Sequence, residues 1–113
     1  LTDFTEAQQV TTGFWSSGVM QSIRNFRKLN LRAEGYVVYR DVKIGDPETN
    51  SDGARISIVT ACNDLSNSLA IDVTTGEKSD KGYNGTLFET TTMELGLDNK
   101  WRVADYTNER KQC

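Results

Sequence analysis

A chain of 113 residues is long enough for one domain and short for two, so we expect a single domain spanning residues 1–113. Its 13 basic and 16 acidic residues give a formal net charge of -3, which offers no overall positive field to a nucleic acid. Histidine is absent, and this excludes the Ser-His-Asp and Cys-His nucleophile systems together with imidazole metal sites.

The N-terminal third of the chain has helical periodicity. Asp3–Phe14 begins with Asp3 and Glu6 at the spacing of a capping box. After a break rich in Gly and Ser, apolar residues recur at steps of four, three and three, at Val19, Ile23, Phe26 and Leu29. We therefore expect helices over about residues 3–34, with the second ending near Gly35.

From Tyr36 onwards the hydrophobic pattern alternates with a period of two, which predicts a sheet over about residues 36–107. In the first strand, Val42 and Ile44 are expected on one face and Tyr39 on the other. The predicted strands are Tyr36–Ile44, Ala54–Cys62, Leu69–Val73, Thr86–Leu95 and Lys100–Tyr106. Since no crossover helices separate them, the predicted class is α+β, with N-terminal helices packed on a curved, mainly antiparallel sheet.

Two cysteines indicate the compartment of the protein. Cys62 lies in an apolar strand and Cys113 is the last residue, so they are too far apart for a CxxC redox or zinc motif. A structural disulfide, which would place the protein in an oxidising compartment, is the favoured interpretation. The alternative is a buried free thiol with an exposed terminal one, as a cytosolic protein would tolerate.

The beginning of the chain and its hydropathy bear on membrane attachment. The sequence starts at Leu1 with neither an initiator methionine nor a charged and then apolar leader, so we expect a processed or trimmed form. No stretch reaches the roughly 18 apolar residues that cross a bilayer. Membrane association is therefore expected only through an anchor outside these residues.

The order of elements resembles the nuclear-transport-factor-2-like (NTF2-like) superfamily, a cone-shaped α+β fold that includes ketosteroid isomerases and polyketide cyclases. Three short segments and the final residue give a narrower resemblance, to the cysteine-containing cone domains of secreted proteins and lipoproteins of actinobacteria. They are Cys62-Asn63-Asp64, Ile71-Asp72-Val73, Trp101-Arg102-Val103 and Cys113. The resemblance implies a strongly curved sheet and a disulfide between Cys62 and Cys113 that fastens the C-terminus to it.

An enzyme of the isomerase type needs a carboxylate base and an oxyanion donor, commonly tyrosine, inside the cone. The candidate acids are Asp41, Asp64, Asp72 and Asp105, and the candidate donors are Tyr36, Tyr39, Tyr83 and Tyr106. Their alternative interpretation, as a solvated strand face and turn caps, is favoured. The cyclase branch commonly depends on histidine, so its activity is not expected. We assign no catalytic, cofactor or metal residues.

Two further groups of residues are candidates for binding. Phe14, Trp15, Phe26 and Tyr39 are candidates to line a ligand pocket, with packing in the core as the alternative. Arg24, Arg27, Lys28 and Arg32 form a basic cluster that would suit an acidic partner or anionic lipid, with a solvated helix flank as the alternative.

The sequence therefore predicts a non-catalytic extracytoplasmic domain, secreted or anchored on the outer face of a membrane. Its expected partner is a protein, a cell-envelope component or a small apolar ligand, without nucleic acid or cofactor, and a homodimer is compatible with the sequence. The alternative is a small-molecule isomerase or cyclase-like enzyme. An open cone interior with an acid and a tyrosine within hydrogen-bond reach of one ligand position would favour the enzyme, whereas an interior filled with Ile, Leu, Val and Phe would exclude it.

Overall fold

The structure is a computed structural model that describes residues 9–80 and 82–113, with the backbone alone at Gly13, Phe14 and Ser16. It is α+β, with a helix followed by mainly antiparallel strands, and this confirms the predicted class. Residues 3–8 of the first predicted helix lie outside the described residues. The predicted end at Phe14 and the break at Gly13 and Ser16–Gly18 are wrong, because Thr11 and Thr12 are not helical and a continuous helix begins at Gly13. The elements are α1 (Gly13–Lys28), β1 (Leu31–Gly35), β2 (Val38–Ile44), β3 (Glu48–Thr49), β4 (Arg55–Asp64), β5 (Ser68–Asp72), β6 (Thr86–Leu95) and β7 (Trp101–Arg110).

Helix α1 turns an apolar side towards the larger sheet. Trp15, Val19 and Ile23 recur at every fourth residue, so they lie on one side of the helix. At its beginning, the backbone N–H of Thr12 donates a hydrogen bond to the carbonyl of Val103 in β7, with an N···O distance of 2.8 Å. The helix is therefore fixed against the last strand of the sheet.

Helix α1 ends earlier than the sequence pattern predicts. The expected helix continues to about residue 34, whereas the structure places Leu31–Gly35 in strand β1. Asn30 has a φ of 57°, a left-handed conformation that Asn tolerates and that terminates helices. Strand β1 then pairs with β5 in a separate two-stranded sheet, with Leu31 opposite Asp72. Pairing with a distant segment overrides the local helical periodicity here.

The larger sheet has the strand order β2-β4-β6-β7, and the short strand β3 also pairs with β4. Strands β4 and β6 form its centre, in an antiparallel register that runs from Ile56 opposite Glu94 to Asp64 opposite Thr86. Strand β6 has the bounds that the sequence predicts, whereas β7 continues to Arg110. The longer β7 stays paired because Arg110 lies opposite Leu87 of β6.

The two faces of β4 have different environments. Val59 and Ala61 face helix α1, because both line the hollow between that helix and the sheet. Ile58 and Cys62, one residue out of phase, lie on the opposite face. The predicted alternation along β4 is therefore present, but the helix covers the Val59 face and leaves Ile58 partly exposed.

A disulfide joins Cys62 of β4 to Cys113, with the Cα atoms 5.7 Å apart. This confirms the predicted pairing. Cys62 is only 2% exposed, whereas Cys113 lies at the surface after the end of β7. One guanidinium nitrogen of Arg40 in β2 donates to the carbonyl oxygen of Cys113 at 3.5 Å. The C-terminus is thus attached to the face of the sheet opposite helix α1.

Candidate functional site

An open cleft lies between helix α1 and the larger sheet, and we call it the helix–sheet cleft. Its volume is about 780 Å³, within the range of small-molecule sites. Tyr39 and Val42, on the edge strand β2, are each more than half exposed and mark its mouth. The cleft is lined by Trp15, Val19, Ser22, Ile23, Tyr39, Val42, Val59, Ala61, Glu89, Thr91, Val103 and Tyr106.

The polar centre of the cleft is the carboxylate of Glu89 in β6, which is only 7% exposed. The hydroxyl of Tyr106 donates to Oε1 of Glu89 at 2.5 Å. The side-chain amide of Asn63 donates to the same oxygen at 2.8 Å. Two donors therefore compensate part of the cost of burying this carboxylate, and hydrogen bonds to a charged group are stronger than neutral ones.

The strand register explains why these three side chains meet. Glu89 lies directly opposite Ala61 of β4 and opposite Asn108 of β7. Asn63 and Tyr106 are the diagonal neighbours of Glu89 on those two strands, and diagonal positions are within reach of long side chains. The network thus spans the neighbouring strands β4, β6 and β7 and depends on their mutual register.

A bulge in β7 turns Tyr106 towards the cleft. Val103 pairs with Met93 and Asp105 pairs with Thr92, so Ala104 between them has no opposite residue. One unpaired residue reverses the alternation of the side chains that follow it. As a result, both Val103 and Tyr106 line the cleft, although strict alternation would place them on opposite faces.

A second bulge has the same effect in β2. Arg40 pairs with Cys62 and Lys43 with Thr60, so Asp41 and Val42 together lie opposite Ala61. Asp41 takes a φ of 52° at this point. Tyr39 and Val42 consequently line the same cleft, which differs from the opposite faces that the sequence pattern predicts. Strict alternation fails in β2 because the bulge changes its register.

The tyrosines of the cleft remain protonated over a wide pH range. Burial, together with the hydrogen bond to Glu89, raises the pKa of Tyr106 well above its usual value. Burial and the nearby charge of Glu89 also raise the pKa of Tyr39. The ring of Tyr106 packs against Trp15 of α1, with ring centroids 4.8 Å apart and planes tilted by 30°. This contact orients the phenol that reaches Glu89.

The aromatic residues proposed from the sequence lie in different places. Trp15 and Tyr39 line the helix–sheet cleft. Phe26 instead lines a separate hollow of about 180 Å³ beside β1 and β5. The side chain of Phe14 lies outside the described residues. The structure therefore brings together two of the four candidates for pocket lining.

None of the four candidate aspartates lines the helix–sheet cleft. Asp64 pairs with Arg40 at 2.7 Å, and this hydrogen bond lowers the pKa of Asp64 to about 2. Asp72 accepts hydrogen bonds from the backbone N–H groups that follow it, as a turn cap does. Asp41 borders a hollow beside the disulfide, and Asp105 is exposed.

Glu89 is the acid that the sequence interpretation missed. It lies in the middle of a predicted strand rich in threonine, and its side chain is on the same face of that strand as Thr91 and Met93. A charged residue in the middle of an inner strand is unusual, and this feature of the sequence could have identified Glu89 as a candidate. Among the candidate tyrosines, Tyr39 and Tyr106 line the cleft, whereas Tyr36 is exposed and Tyr83 donates to the backbone carbonyl of Thr86.

The basic cluster is divided between two elements. Arg24, Arg27 and Lys28 lie on α1, and all three are exposed. Arg27 and Lys28 occupy the last turn of the helix, where positive charge complements the helix dipole. Arg32 lies in β1 and forms an exposed ion pair with Glu34 at 2.7 Å. Local structural roles thus account for three of the four residues.

Neither a protein-family model nor a curated protein matches this chain at a significant level. Within residues 9–80 and 82–113, no group of three or more His, Cys, Asp or Glu side chains is arranged to hold a metal ion. The same ranges contain no helix that is long and apolar enough to span a membrane. The disulfide indicates an oxidising compartment of the kind found outside the cytoplasm.

Proposed function

We propose that this protein is a non-catalytic extracytoplasmic domain of the NTF2-like type, and that its helix–sheet cleft binds a small, largely apolar ligand carrying one polar group. The observation that carries the proposal is a cleft of about 780 Å³ with apolar walls around one buried carboxylate, Glu89. Small-molecule sites typically combine such walls with a few polar groups that orient the ligand.

The NTF2-like part of the proposal rests on the packing of α1 across an antiparallel sheet. Bulges in β2 and β7 bend the strands on either side of the central pair, and bent strands favour a concave face. The cleft lies on this helix-covered face. The extracytoplasmic part rests on the disulfide between Cys62 and Cys113.

The hydrogen bonding at the centre of the cleft favours binding over isomerisation. A phenol has one proton, and Tyr106 donates its proton to Glu89. Tyr106 is therefore not free to donate to an oxyanion that develops on a substrate. Oε1 of Glu89 already accepts from Tyr106 and Asn63, so both donors would compete with a substrate for this oxygen.

Isomerisation remains a second candidate because Tyr39 and Glu89 face the same cleft. If the protein is an enzyme of this type, it should convert a β,γ-unsaturated ketone into its conjugated isomer, and Glu89→Gln should abolish that turnover. We expect no turnover above the buffer rate. Turnover that depends on Glu89 would replace the binding function with a catalytic one.

The binding function is tested with N-phenylnaphthylamine, an uncharged apolar probe whose fluorescence rises in an apolar site. We expect saturable binding to the wild-type domain. Ala61→Leu adds bulk at the floor of the cleft and should weaken binding by at least about tenfold. Thr60→Leu adds bulk on the opposite face of the same strand and is the matched control, with little change expected. Absence of saturable binding, or equal effects of the two substitutions, would contradict the proposal.

A further inference from the structure

The helix–sheet cleft contains a negative charge without a positive partner among the described residues of its walls. Of the lining residues within 9–80 and 82–113, Glu89 alone is charged, and neither lysine nor arginine is among them. On β7, Arg110 is the other diagonal neighbour of Glu89, and its guanidinium lies over the ring of Tyr83, 4.5 Å from the ring centroid. Arg40 of β2 lies on the other face of the sheet, where it pairs with Asp64. Hydrogen bonds from Tyr106 and Asn63 reduce the cost of burying the Glu89 carboxylate, but they leave its charge in place.

The polar centre of the cleft offers hydrogen-bond acceptors that have no donor. The hydroxyl proton of Tyr106 and one amide proton of Asn63 are directed at Oε1 of Glu89. Neither of these bonds reaches Oε2, the second oxygen of the same carboxylate. Oδ1 of Asn63 is a buried acceptor that has no partner in the described part of the chain. A ligand with hydrogen-bond donors complements this arrangement better than one with acceptors alone.

The aromatic residues around the carboxylate add a second attraction for positive charge. Trp15, Tyr39 and Tyr106 all line the cleft, and the faces of aromatic rings attract cations. The raised pKa values of Tyr39 and Tyr106 keep both phenols neutral, so that their rings retain this property without adding negative charge. A carboxylate with aromatic rings on an apolar wall is a chemical match for an alkylammonium group.

We propose that the ligand of the helix–sheet cleft is an apolar molecule with a protonated amine, whose ammonium group pairs with Glu89 while its hydrocarbon part packs against the walls of α1 and the sheet. This inference rests on the proposed binding function and specifies the class of ligand. A charge-assisted hydrogen bond is about twice as strong as a neutral one, so the charge of the amine should be measurable as a preference.

The test compares three probes that share one apolar group, namely naphthylmethylamine, naphthylmethanol and naphthylacetate, by isothermal titration calorimetry at neutral pH. We expect the amine to bind at least about tenfold more tightly than the alcohol, and the carboxylate to bind most weakly. An alcohol that binds as tightly as the amine, or a preference for the carboxylate, would overturn the inference. Because the three ligands are compared on the wild-type protein, this result does not depend on the folding of a variant.

Glu89→Gln provides the second arm. It should reduce the affinity for the amine by at least about tenfold and change the affinity for the alcohol little. Glu94→Gln removes a negative charge from the opposite face of the same strand and is the matched control, with little effect on either ligand. If both substitutions weaken amine binding equally, the attraction is a property of the overall charge and the inference is wrong.

The two proposals fail in different ways. If Ala61→Leu blocks the binding of N-phenylnaphthylamine but the protein shows no preference for the amine, the cleft is a binding site and the cationic ligand is rejected. Absence of binding by N-phenylnaphthylamine and by all three naphthyl probes would reject both.

Discussion

Removal of the disulfide is the perturbation whose effect follows most directly from the structure. The bond between Cys62 and Cys113 closes a loop with a sequence separation of 51 residues. In the chain-entropy model, a loop of this length restricts the unfolded chain enough to stabilise the native state by about 4 kcal/mol at room temperature. Cys113→Ala is the appropriate substitution, because Cys113 is exposed and the remaining Cys62 stays buried as a small apolar side chain.

The assay is urea unfolding of the wild-type protein and of Cys113→Ala, followed by far-UV circular dichroism. We expect the variant to lose about 3–4 kcal/mol of unfolding free energy, and the wild-type protein under reductant to lose a similar amount. Cys113→Ala under reductant is the control, and its stability should not change further. A loss below about 1 kcal/mol, or alkylation of both thiols in the native protein without reductant, would refute the argument.

Two more predictions concern stability. Gly35 has a φ of 87°, and an added Cβ would lie 2.0 Å from the carbonyl oxygen of Asn67, so Gly35→Ala should lower the unfolding free energy by at least about 2 kcal/mol. Gly53→Ala, which is also at positive φ but has nothing within 4 Å, should cost about 1 kcal/mol, and equal losses would contradict the role of the contact. The Arg40 hydrogen bond lowers the pKa of Asp64 from 3.8 to about 2, so its stabilisation is present above about pH 4 and disappears as the pH falls through 2. The difference in unfolding free energy between wild type and Asp64→Asn should shrink over that interval, and a constant difference would contradict the assignment.

Two bulges account for the position of the candidate site. Each places residues that are out of phase in sequence on the same face, Tyr39 with Val42 in β2 and Val103 with Tyr106 in β7. Without the bulge in β7, Tyr106 would face away from Glu89 and the carboxylate would lose its shortest hydrogen bond. The chemistry of the cleft thus depends on single unpaired residues in two strands that flank the centre of the sheet.

Local sequence patterns predicted the elements better than the site. Strand β6 has its predicted bounds because a run rich in the β-branched residue threonine lies between Gly85 and Gly96, and Asp72 caps a turn as its residue type suggests. The segment Leu31–Gly35 differs from the prediction because β1 gains its hydrogen bonds from β5, far along the chain. Glu89 was missed because its environment is created by residues of β4, β7 and α1.

The sequence by itself determined the α+β class and the absence of imidazole chemistry, since these depend on composition and on periodicity within short segments. It favoured a disulfide but left free thiols as the alternative, and the bond between Cys62 and Cys113 is seen in the structure. The tertiary structure decided which face of the sheet the helix covers, which tyrosines meet an acid, and that the acid is Glu89. These outcomes depend on the register between strands, and a shift of one residue moves every following side chain to the other face.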